Sequence, residues 1–115
     1  HSHDDLGWRK AYEEYFYGTN VNNDERAAVQ LIIDTTVEEL ERDKRRTFTI
    51  AEMKFFQMWY KTAEQKQRDR AKALIQNGQI EIVQGGWTAP DEACPNYQDL
   101  VLNMHFGNKF LWEEF

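Results

Sequence analysis

The chain has 115 residues, 41% of them hydrophobic and 30% charged, with a formal net charge of −6. That length suits one small domain able to remove roughly two thirds of its unfolded surface from water, and the scatter of Lys and Arg among Asp and Glu excludes the clustered basic face that nucleic acid requires. No stretch approaches the ~18 apolar residues of a membrane span, and the lone Cys94 leaves no internal disulfide.

The opening run His1-Ser2-His3-Asp4-Asp5-Leu6-Gly7-Trp8 reads as the end of a strand and the loop that follows it. It lacks the charged-then-apolar plan of a signal peptide and has no initiating Met, so the chain is expected to be a fragment. On an extended backbone alternate side chains share a face, which sends His3 and Asp5 the same way and lets them grip one metal ion; His1 has the same parity. Imidazole plus carboxylate suits zinc, and Gly7 allows a sharp turn that sets Trp8 beside the ion as an apolar wall. A bare His-x-Asp is also satisfied as a hydrogen-bonded surface pair.

A helix is predicted from an N-cap at Asn23 or Asp24, carrying Val29, Ile32, Ile33, Val37 and Leu40 at three- and four-residue steps. It ends in the charged stretch Glu41 to Arg46. Thr47-Phe48-Thr49-Ile50 is β-branched and aromatic, as in a strand buried on both sides within a parallel sheet. Two helical segments follow, an aromatic one over Met53 to Tyr60 and a polar one over Thr62 to Asn77 that closes where Gly78 can turn left-handed. Ile80, Ile82 and Val83 mark another strand, stopped by Gly85-Gly86-Trp87. The last helix carries Tyr97, Leu100, Val101, Met104 and Leu111 on one stripe.

The order strand, helix, strand, helices, strand, helix predicts an α/β arrangement of about three parallel strands with flanking helices, in one partial domain over residues 1–115. In such folds the loops after the strand ends gather on one rim. Three segments are expected there: His3 to Trp8, Ala51-Glu52, and Gly85 to Glu92.

With those loops laid out, the chain resembles the N-terminal catalytic region of the α-mannosidases of glycoside hydrolase family 38. The likeness rests on His1-Ser2-His3-Asp4-Asp5-Leu6-Gly7-Trp8, on Tyr15-Phe16-Tyr17-Gly18, on Asn77-Gly78-Gln79-Ile80-Glu81, and on Gly85-Gly86-Trp87 with Pro90-Asp91-Glu92-Ala93. Asp4 beside Asp5 and the Tyr-Phe-Tyr-Gly run are closer to the lysosomal type than to the Golgi type. The resemblance implies a fragment of an incomplete, seven-stranded type of parallel β/α barrel. It makes His3 and Asp5 two of the zinc ligands, leaves His1 out of the set, and puts Trp8 against the sugar. The implied protein is a retaining exo-α-mannosidase acting on terminal mannose of N-glycans or oligosaccharides, in the lysosome or an equivalent compartment, with Golgi processing as the alternative. Its aspartate nucleophile and its general acid are implied to lie beyond Phe115, in the remainder of the catalytic domain. The segment alone is then expected to be inactive, to bind metal weakly, and to expose strand edges that favour aggregation.

Several residues have plainer readings. Asp4 points away from the dyad and is expected to orient the loop through hydrogen bonds. Glu52, Asp91 and Glu92 are acid or base by type, but bracing of loops through backbone N–H groups is the expectation for each. Gly85-Gly86 lacks the spacing of a phosphate cradle and reads as a tight turn. The stripe Phe55, Phe56, Trp59 and Tyr60 reads as core, and His105 as a structural histidine on the packed side of its helix. A zinc-dependent polysaccharide deacetylase and a non-catalytic sugar-binding relative are the other readings of the His/Asp pair.

Overall fold

A two-stranded parallel sheet organises the computed structural model, which describes residues 1–19, 28–93 and 95–115. Strand β1 (Phe48–Ile50) pairs with β2 (Ile80–Ile82) in the register Phe48↔Ile80, Thr49↔Glu81 and Ile50↔Ile82. Helix α1 (Tyr12–Tyr17) and helix α2 (Val29–Arg42) precede the sheet. Helices α3 (Met53–Thr62) and α4 (Gln65–Gln76) form the crossover between the strands, and α5 (Tyr97–Glu114) ends the chain.

The stripe on α2 does what its spacing predicts: Val29, Ile33, Val37 and Leu40 are buried, while Ile32 is half-buried. They pack with Phe55, Phe56, Trp59 and Tyr60, so the aromatic run is core. Trp59 brings a polar N–H into that core and satisfies it by donating Nε1–H to Asp34 of α2 at 2.7 Å. The foreseen caps Asn23 and Asp24, like Cys94, lie outside the described residues.

The return from α4 into β2 is locked by a glycine and one buried amide. Gly78 takes φ +81° as expected of a left-handed helix terminator. The buried Gln79 then donates Nε2–H to the Leu40 carbonyl at 2.7 Å and to those of Arg46 and Asp43 at 3.2 and 3.3 Å. One side chain thereby serves the C-terminal end of α2 and the turn before β1, where the Asp43 carbonyl also accepts the Arg46 N–H at 3.0 Å.

Three expectations need correction. The first predicted strand makes no ladder: along His1–Asp5 exposed His1, His3 and Asp5 alternate with half-buried Ser2 and Asp4, but only β1 and β2 pair among the described residues. The stripe on α5 is off centre. Tyr97 and Val101 are 74% and 65% exposed, whereas Gly107 and Phe110 are buried, because the helix makes its closest approach where it has no side chain at all. His105, expected on the packed side, is exposed and meets only the edge of Phe106 among the ring contacts.

Candidate functional site

The alternating exposure along residues 1–5 follows the predicted parity. His3 Nε2 and Asp5 Oδ1 stand 3.2 Å apart on the exposed face. Two lone-pair donors at that distance need a proton or a cation between them. Donors held about 2.0–2.2 Å from one tetrahedral zinc are separated by roughly 3.3 Å, so the pair fits two corners of such a site. Among the described residues no third His, Cys, Asp or Glu completes the group. Further ligands would have to come from elsewhere in the protein. The remaining same-face histidine, His1, turns its Nδ1 to within 3.0 Å of the Ser2 carbonyl.

Beneath the dyad, Asp4 faces inward and accepts the Ser2 hydroxyl, the orienting role expected of it. Glu52, the residue before α3, is 6% exposed and lines the same small cavity as Ser2 and Asp4. Burial raises the pKa of its carboxyl above the ordinary value, and the Asp4 carboxylate raises it further. Hydrogen bonding from the backbone N–H groups of Asp4 and of Glu52 itself, together with His3, opposes both. Glu52 is thus a buried carboxyl set directly under the opening segment.

Gly7 then turns the chain at φ +89°, its N–H bonded to the Asp5 carbonyl at 2.9 Å. The turn leaves Trp8 75% exposed. Its indole forms one side of a cleft of about 530 Å³, continuous with Asp5, Leu6 and Gly7; the facing wall is Thr88 to Asp91. The first and third predicted rim segments therefore meet. Asp91 accepts the Ala93 N–H at 2.8 Å, which is loop bracing, and Glu92 is exposed.

The facing wall is rooted in the Gly85-Gly86 turn. Gln84 and Gly85 both take left-handed conformations, φ 60° and 71°, reversing the chain at the end of β2. The carbonyls of Gly86 and Trp87 then accept the N–H groups of Met53 and Lys54 at 3.0 and 2.9 Å, satisfying two first-turn donors of α3 that have no partner within the helix. The Lys54 ammonium sits 5.2 Å from the Trp87 ring and 5.4 Å from that of Tyr12, tying α1, α3 and the turn together. On the other side Asn103 of α5 holds Thr88, and Gly107 lies directly against the turn. Asn103, Gly107 and Lys54 had no motif to announce them. Only Gly107 left a sequence signal, an isolated glycine within a helical pattern.

Compared with known proteins, residues 1–115 match the family model described as the glycosyl hydrolases family 38 N-terminal domain. The lysosomal alpha-mannosidase of Dictyostelium discoideum is 38% identical over all 115 residues, that of Mus musculus 37%, and the alpha-mannosidase of Canavalia ensiformis 37%. Each alignment covers 100% of this chain but only 11%, 11% and 12% of the relative.

Proposed function

The chain belongs to glycosyl hydrolase family 38, matching its N-terminal domain, and on that premise we propose that the protein containing it is a zinc-dependent, retaining exo-α-mannosidase of the lysosomal type. Its substrates are terminal α-linked mannose residues of N-glycans or oligosaccharides. Supporting this are the names of the relatives, two of which are lysosomal alpha-mannosidases. The observation that carries the reading is the 3.2 Å approach of His3 Nε2 to Asp5 Oδ1 on an exposed face, in the segment that opens the family match.

In this reading residues 1–115 form part of an incomplete parallel β/α barrel, with β1 and β2 as two of its strands. His3 and Asp5 supply two zinc ligands. Zinc, when bound, acts as a template and Lewis acid for the sugar hydroxyls. Trp8 offers an apolar face to the C–H side of the pyranose and helps exclude water from it. Ser2, Asp4 and Glu52 hold the backbone that carries the dyad. The nucleophile and the acid/base group are contributed by the remainder of the catalytic domain, and retention follows from their double-displacement chemistry.

The test uses the full-length protein. Asp5→Ala and His3→Ala are each expected to lose bound zinc and hydrolysis of an aryl α-mannoside together. Parental zinc content and parental activity in both variants would refute the assignment.

A further inference from the structure

Asn103 lies on α5, a hundred residues from the dyad in sequence, yet its polar atoms are committed to the cleft wall that faces Trp8. The side-chain amide pairs with Thr88 as a strand edge would: Oδ1 accepts the Thr88 N–H at 2.8 Å, and Nδ2 donates to the Thr88 carbonyl at 2.8 Å. The Asn103 backbone carbonyl also takes the Trp87 N–H, at 3.0 Å. The seat is tight. A Cβ on Gly86 would stand 2.7 Å from Asn103 Nδ2 and 2.9 Å from the Thr88 carbonyl oxygen. Because Gly86 and Trp87 are fixed to α3 from the other side, the Asn103 amide governs where the wall from Thr88 to Asp91 departs from its root. Asn103 itself lines the cleft with Trp8 and Asp91.

We propose that Asn103 is a positioning residue for sugar binding: by clamping Thr88 it sets the gap between Trp8 and the opposite wall, and with it the fit of a mannosyl ring. This rests on the mannosidase reading above. Asn103 is neither a metal ligand nor a group that exchanges protons, so its loss is felt in substrate binding rather than in metal content or turnover.

In the full-length protein, Asn103→Ala is expected to raise KM for an aryl α-mannoside about ten-fold, since a wall displaced by an ångström spoils the fit. Turnover stays within about two-fold and bound zinc stays at the parental level. Asn103→Asp keeps the bond from the Thr88 N–H but sets a carboxylate oxygen against the Thr88 carbonyl; it raises KM in the same direction and carries the test where Asn103→Ala is not recovered folded. A parental KM in the folded variants, with only the melting temperature lowered, overturns the proposal and leaves Asn103 a structural amide. Failure of the underlying reading looks different. The parental protein itself then shows no zinc-dependent hydrolysis of the mannoside, and both proposals fall.

Discussion

Gly107→Ala tests the packing that holds the cleft wall, and its sign is diagnostic. In an open helix interior the change adds a methyl group and removes backbone freedom, so it stabilises by about 0.8–1 kcal/mol. Here the new Cβ would stand 1.9 Å from the Gly85 carbonyl oxygen and 2.6 and 2.8 Å from the Gly86 and Gly85 carbonyl carbons. All three are backbone atoms. To reach even 3.0 Å, below which real Cβ contacts do not go, helix and turn must separate by more than about 1 Å. The turn resists because its carbonyls cap α3. The helix resists because Phe110, 4% exposed, is packed between Phe56 and Tyr60 at 6.2 and 6.0 Å. A retreat of that size breaks the 2.8 Å bonds between Asn103 and Thr88, worth about 1 kcal/mol each. It also forfeits part of the roughly 1.5–3 kcal/mol of Phe110 burial. After the propensity gain, a net loss of about 2–4 kcal/mol remains. Thermal unfolding of the full-length protein reads it, with Gly78→Ala as the contrast: φ is +81° there but no atom lies within 4 Å, so only the left-handed penalty of about 1–2 kcal/mol applies. A Gly107→Ala protein melting at or above the parent would refute the close approach.

Two further outcomes can be measured. On the proposed mannosidase reading, Trp8→Ala, at a side chain 75% exposed, leaves the melting temperature at the parental value and lowers kcat/KM for an aryl α-mannoside about ten-fold, the equivalent of one aromatic contact; unchanged kcat/KM refutes the proposed contact of Trp8 with sugar. Arg70 grips Glu41 through both carboxylate oxygens, with Nε to Oε1 at 2.7 Å, and this holds the Glu41 pKa below its ordinary value. A lowered carboxylate pKa contributes stability that is present above the unfolded value and is lost as pH falls through the folded one. The Glu41 side chain is 39% exposed, so solvent limits the contribution to within about 1 kcal/mol. Glu41→Gln therefore melts slightly below the parent near neutral pH, and the gap closes on acidification; a gap of constant size across that range contradicts the ion-pair account.

What could be read from the sequence divides along a physical line. Period-based inference works where apolar side chains carry the packing, as on α2 and α3, because there the spacing itself is the cause of burial. It also works where backbone geometry has one cheap solution: Gly78 ends α4, and alternation along residues 1–5 brings His3 to Asp5. It fails where contact is made by polar atoms or by no atoms. Gln79 is a polar letter between a turn and a strand, yet it is buried and closes the end of α2. The apolar stripe on α5 runs through Tyr97 and Val101, while the face that docks runs through Asn103, Gly107 and Phe110, an amide, a hydrogen atom and one ring. Helix α1 carries no sequence signal for a related reason: it is only six residues long, and the device that starts it is the Glu14 carboxylate accepting the Ala11 N–H at 2.8 Å, not a Ser or Asp cap.

That division explains how the candidate site is built. The groups that would meet ligand, His3, Asp5 and Trp8, stand 73%, 47% and 75% exposed, so the core does little to hold them directly. Their geometry is inherited from a layer of polar and small residues: Ser2, Asp4 and Glu52 under one wall, Gly85, Gly86 and Asn103 under the other. Both layers meet at the N-terminus of α3, where Glu52 precedes the helix and the carbonyls of Gly86 and Trp87 take its first free N–H groups. A displacement of that helix end shifts the dyad and the facing wall together, whereas a change at Asn103 moves the wall alone. The two walls can therefore be separated by experiment, because lesions at Glu52 act on the segment that carries His3 and Asp5 and lesions at Asn103 act on the width of the cleft.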